Sequence, residues 1–166
     1  MATTPAHSGD SAAIYTAEER ARRDATVWTT VQAVLAPLQF LVCLVSLVLV
    51  LRCLATGEGW LAATVSILVK TGFLYAIMVT GAIWEKVVFG RYLLAPAFFW
   101  EDVVSFGVIA LHTAYVAALA TGMLSAEGQM LLALAAYAAY AVNAAQFLLK
   151  MRAARMQAPP PAGVPA

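Results

Sequence analysis

Three carboxylates, a lysine and a histidine stand in a chain that is otherwise close to oil. "IWEK" carries Glu85, while "FWEDVVSFGVIALH" opens on Glu101 and Asp102 and ends at His112. Neighbouring carboxyl groups beside apolar rings repel one another and lose hydration, which favours a neutral acid able to donate a proton. In the first turn of a helix the same groups complement its dipole, which favours the anion and suits a purely structural helix start. His112 follows Glu101 by eleven residues. On an α-helix that puts both on one stripe, about 20° apart around the axis and about 16 Å along it. Ser105 and Val108 fill the stripe between them. A histidine there can bond a neighbouring helix or ligate a metal carried by a ligand.

Lys70 lies in the middle of an apolar run and demands an interior partner: a ligand carboxylate, Glu85 or a tyrosine. Tyr140, Asn143 and Gln146 recur at spacings of three, and Gln39, Cys43 and Ser46 form a small polar stripe. Trp84 and Trp100 directly precede the acids and offer flat rings. The set suits proton transfer beside a flat apolar ligand, with Glu101, Asp102 and Glu85 as acid and base candidates. On residue types alone it names no substrate.

The elements that position these residues must be membrane spans. Of the 166 residues, 63% are hydrophobic and 11% charged, against about 25% charged in an ordinary soluble domain. Four apolar segments, Val31–Leu54, Trp60–Trp84, Phe99–Met123 and Met130–Leu149, each come near the ~20 residues that cross a bilayer. The expected fold is all-α, an integral membrane four-helix bundle. "ATGEG" and "SAEGQ" are its short turns, and Trp60 and Trp84 bracket the second span as interfacial anchors.

Arg20, Arg22, Arg23, Lys86, Arg91, Lys150, Arg152 and Arg155 fall on one side of these spans and Arg52 on the other. The positive-inside rule then puts both termini and the middle loop in the cytoplasm. The antiparallel spans bring Glu85, Glu101 and Asp102 to one depth on that side. The middle loop, "KVVFGRYLLAPAFFW", is poor in polar residues and is expected to anchor in the interface or fold back over the bundle, turning at Gly90 and Pro96. Ala135 and Ala139 have the small-xxx-small spacing of close helix packing or oligomerisation.

The segment "YTAEERARRDATVWTTVQ" reads as a charged interfacial helix leading into the first span. Residues 1–14 and 156–166 are expected to be disordered tails around a single membrane domain, 15–155. No secretory leader is apparent, since acids are scattered among the arginines of residues 1–30. Cys43 and Cys53 lie about 15 Å apart on one helix, too far to bridge. No cysteine or histidine cluster suggests a metal of the protein's own. The net charge of +1 argues against nucleic acid as a partner.

Five blocks carry a likeness: "YTAEERARRDATVWTTVQAVLAPLQFLV", "LATGEGW", "VKTGFLYAIMVTGAIWEKVVFGRYLLAPAFFWEDV", "ALHTAYVAAL" and "AAYAVNAAQFLLKMRAAR". In this order they resemble the 3-vinyl bacteriochlorophyllide hydratases of purple phototrophic bacteria, called 2-vinyl in older ring numbering. The likeness runs from Tyr15 to Arg155. It implies a lyase that adds water to the C3 vinyl group of chlorophyllide a or 3-vinyl bacteriochlorophyllide a, giving a 3-(1-hydroxyethyl) group, in a bacterial inner or intracytoplasmic membrane. It implies no cofactor, since the Mg²⁺ belongs to the substrate, and it carries no catalytic residue set. Within that chemistry His112 could ligate the substrate's Mg²⁺ axially and Lys70 could meet its propionate. Trp84, Trp100, Tyr140, Asn143 and Gln146 would line the pigment. Contact with other pigment enzymes or a second copy is a further expectation, and a non-catalytic pigment carrier is the rival reading.

Overall fold

A computed structural model describes residues 14–156. The two tails expected from the composition lie almost wholly outside them. Five helices follow in order: α1 (Ala17–Ala25), α2 (Val27–Thr56), α3 (Trp60–Phe89), α4 (Phe99–Thr121) and α5 (Ala126–Met156). The last four are long and apolar enough to cross a membrane. They alternate in direction, with α2 packed on α3 and α5, and α4 packed on α5 and α3. The bundle is thus a closed ring of four antiparallel helices.

Local chemistry sets the helix ends. Thr16 and Glu19 form a reciprocal capping box at the start of α1, satisfying two N–H groups the helix cannot. Thr26 is extended, which breaks α1 from α2, and its hydroxyl accepts from Trp28 N. Gly57 and Gly90 close α2 and α3 in the left-handed region, at φ 72° and 82°, where a side chain would strain the backbone. The Ser125 hydroxyl accepts from Gly128 N, so α5 begins a turn before the apolar run that the sequence marks.

Three helices exceed their expected spans, and α4 stops two residues short of Met123. The excess falls mostly at the end that gathers α1, the 90–98 loop and the last turns of α5, called here the basic end. Trp84 therefore does not terminate its helix. It lies inside α3, with Nε1 donating to Thr29 Oγ1 at 2.9 Å. α1 is a separate short helix tied down by Arg22, whose Nε donates to Val88 O at 2.9 Å, one of the carbonyls left open at the end of α3.

Apolar packing divides in two. At the far end Val50, Ala63, Ile67, Tyr115, Met130, Ala133, Ala136 and Tyr137 form the main core. At the basic end Tyr15, Val88 and Phe98 pack with Trp84, Phe89 and Phe147. The alanines that let helices approach are Ala133 and Ala136, whereas Ala135 faces outward. Leucines, valines and phenylalanines cover the outside, among them Leu148 at 71% exposure and Val48 at 65%, as lipid contact requires.

Candidate functional site

The three acids converge at the basic end, and the 90–98 loop is what holds them. Glu85, in the last turns of α3, and Asp102, in the first turn of α4, are both buried. Their carboxyl groups lie close enough to interact. Two carboxylates side by side repel, which favours a state with one proton between them. Each also accepts a backbone N–H from the loop: Leu94 N to Asp102 Oδ2 at 2.7 Å and Ala95 N to Glu85 Oε2 at 3.2 Å. Leu94 reaches its carboxylate with φ at 59°, a left-handed conformation that costs a leucine about 1–2 kcal/mol.

Glu101 does something different from its neighbour. It pairs with Lys150 of α5 at 2.8 Å, and Lys150 also donates to Ala97 O and sits over the Phe98 ring. The ion pair fastens α5 to the start of α4 and to the loop. The loop does fold back as its composition suggests: Ala95 and Phe98 are buried, and Phe98 stacks on Phe147 with centroids 6.0 Å apart. Trp100 does not join this interior. It is 68% exposed on the outer face, edge-on to Phe99 at 5.3 Å.

One turn below the acids, Ser105 Oγ donates to Glu101 O and accepts from Asn143 Nδ2, both at 2.8 Å. Gln146 lies on the same helix, half-buried, with its Oε1 unpartnered. Gln39 is buried with neither amide atom partnered. Deeper still, His112 and Lys70 are wholly buried. The Nδ1 of His112 faces Val108 O at 2.8 Å. A carbonyl only accepts, so Nδ1 carries the hydrogen, and in the neutral ring the lone pair is on Nε2. There Lys70 Nζ lies 2.8 Å away, with the Tyr140 ring 4.3 Å and the Tyr137 ring 5.1 Å from it.

Lys70 and His112 are thus each other's partner inside the bundle. Lys70 pairs with a histidine that the sequence reading did not offer it, although the tyrosine faces beside it were expected. Spacing along one helix cannot show which residue of another helix lies opposite. Gln39, Cys43 and Ser46 do line one buried face, and Ser46 bonds Tyr137 and Ser66 at 2.5 Å and 2.7 Å. Lys150 is what sequence reasoning missed. Its place among the basic residues at a span end hid a specific role, and its only signal was its position opposite Glu101 in antiparallel helices. Among the described residues no group of three or more histidine, cysteine or acidic side chains could hold a metal.

Fold and site together define a helical protein with four apolar helices long enough to cross a membrane and a buried carboxyl pair near one end. Residues 15–153 match the family model for 2-vinyl bacteriochlorophyllide hydratase. The chain is 73% identical over 146 residues to the 2-vinyl bacteriochlorophyllide hydratase of Rhodobacter capsulatus, covering 88% of this chain and 85% of that one. It is 71% identical over 143 residues to that of Cereibacter sphaeroides, covering 86% and 89%. No solved structure matches it. The chain belongs to the 2-vinyl bacteriochlorophyllide hydratase family.

Proposed function

We propose that this protein hydrates the C3 vinyl group of chlorophyllide a or 3-vinyl bacteriochlorophyllide a in bacteriochlorophyll a synthesis, with Glu85 and Asp102 as its acid–base pair. The observation that carries the site is the convergence of these two buried carboxyl groups beneath consecutive loop N–H groups, where like-charge repulsion favours one shared proton. Hydration needs a proton donor and a proton acceptor in one place. The protonated carboxyl gives its hydrogen to the terminal vinyl carbon as the C=C π bond breaks. Positive charge develops on the carbon attached to the macrocycle, which delocalises it, and the anionic partner offsets it. Water then forms the new C–O bond and loses a proton to the carboxylate, restoring the one-proton pair. The step is redox-neutral and consumes only water.

The other residues support this placement. Glu101, held by Lys150, adds a fixed ion pair beside the reacting carbon. Trp100 and Phe99 present rings to the lipid next to the acids, where a macrocycle arriving from the bilayer would stack. Trp84 backs the loop from inside. Tyr140, Asn143 and Gln146 line the interior below. The substrate's Mg²⁺ could reach His112, and a propionate Lys70, only after their mutual bond opens.

The positive-inside asymmetry favours the basic end facing the cytoplasm, with both termini there, in the inner or intracytoplasmic membrane. The test is direct. Membranes containing the protein are incubated with chlorophyllide a in H₂¹⁸O, and the pigment is followed by mass spectrometry. A product heavier by one labelled water supports the reading. Pigment that is bound but never converted would make the protein a carrier instead.

A further inference from the structure

The bundle interior holds a group of polar atoms that nothing in the fold satisfies. Both amide atoms of Gln39, at 1% exposure, lack a partner, as do Asn143 Oδ1, at 6%, and Gln146 Oε1. The packing register brings two of these side chains to one level. Ser46 of α2 bonds Tyr137 of α5. Because these helices are antiparallel, seven residues back from Ser46 reaches Gln39, while seven forward from Tyr137 reaches Ala144, next to Asn143. Gln39 and Asn143 thus sit level with Ser105, about one turn below the carboxyl pair, whereas Gln146 lies a turn beyond, about half a turn around α5 from Tyr137.

A buried polar atom left unpaired destabilises the fold. A buried water satisfies about three such groups at once. The unpartnered set at this level is two carbonyl acceptors and one amide donor group, which matches a molecule that donates twice and accepts.

We propose that Gln39 and Asn143 hold ordered water inside the bundle and that this is the water the carboxyl pair uses. The proposal rests on placing the reaction at Glu85 and Asp102. The neighbouring Phe40 and Val142 face lipid, at 49% and 57% exposure. Asn143, Ser105 and the Glu101 carbonyl connect the store to the turn that bears the acids. A hydratase embedded in lipid thereby keeps its second substrate where bulk water is absent.

The probe is water itself. In water-edited solid-state NMR of the full-length protein in bilayers, with glutamine labelled, the Gln39 side-chain amide should receive water magnetisation as rapidly as groups at the bundle ends. Its resonance is assigned by its loss in Gln39→Leu, or in the near-isosteric Gln39→Met if the leucine variant does not accumulate. The same variant should lower kcat on the order of 10- to 100-fold, with the pigment KM changed by less than about twofold. Absence of transfer to Gln39 overturns the proposal. So does a Gln39→Leu protein that melts higher and turns over fully, as removal of a merely stranded amide would produce. Failure of the carboxyl assignment is distinguishable, since active Glu85→Gln and Asp102→Asn proteins would leave the NMR signal in place.

Discussion

Glu85 and Asp102 are anchored by consecutive peptide units: Ala95 donates to the first and Leu94 to the second. The peptide that covers the acids also fixes their orientation, one oxygen of each being held by the loop. Leu94 makes its bond to Asp102 from the left-handed region, at φ 59°, a strain that the loop's hydrogen bonds hold in place.

Glu85→Gln and Asp102→Asn should each lower turnover by about 10²- to 10⁴-fold while pigment still binds. The amide oxygen can keep the loop N–H, so the loop should stay in place, but the shared proton is gone. Combining the two should add little to either, since the residues act as a unit. Turnover and pigment retention in the same membranes check this. Full activity in both single variants would remove the pair from the chemistry.

Glu101 and Lys150 should behave as a structural pair. Glu101→Gln or Lys150→Met alone should lower stability by about 2–4 kcal/mol, at and below the lower end for buried pairs because the Lys150 side chain is 25% exposed. The double variant should recover part of that, with kcat reduced less than in Glu85→Gln. Thermal unfolding in detergent reads the first part and pigment turnover the second.

Lys70→Met should cost about 1–3 kcal/mol by stranding the Nε2 lone pair of His112. His112→Leu should cost more, because it leaves an amino group in the bundle with only the faces of Tyr137 and Tyr140 beside it. The double apolar variant should be more stable than His112→Leu alone. Melting temperatures of the three proteins give the cycle.

A cysteine introduced at Tyr92 should be shielded from an impermeant thiol reagent in intact cells, and one at Glu58 should react. Cys43 and Cys53 are buried and free, so the background is low. The reverse pattern would invert the bundle and place the acids on the outer side.

The spans themselves were legible in the sequence because lipid imposes a length and a polarity on any helix that crosses it. The gathering of Glu85, Glu101 and Asp102 at one end followed from the antiparallel order. The stripe of Gln39, Cys43 and Ser46 and the stripe from Glu101 to His112 followed from helical periodicity, and both are buried as that periodicity requires.

Tertiary structure decided which residues face each other across helices. Composition assigns Glu101 and Asp102 the same chemistry, yet one is drawn to Lys150 and the other to Glu85. That split depends on the relative rotation of α3, α4 and α5. The sequence left Lys70 and His112 open to a ligand or to a neighbouring helix, and packing set them 2.8 Å apart. Burial and membrane depth are properties of one helix and its solvent, so sequence alone determines them. Pairing depends on the register and rotation of two helices, and packing of the whole bundle determines it.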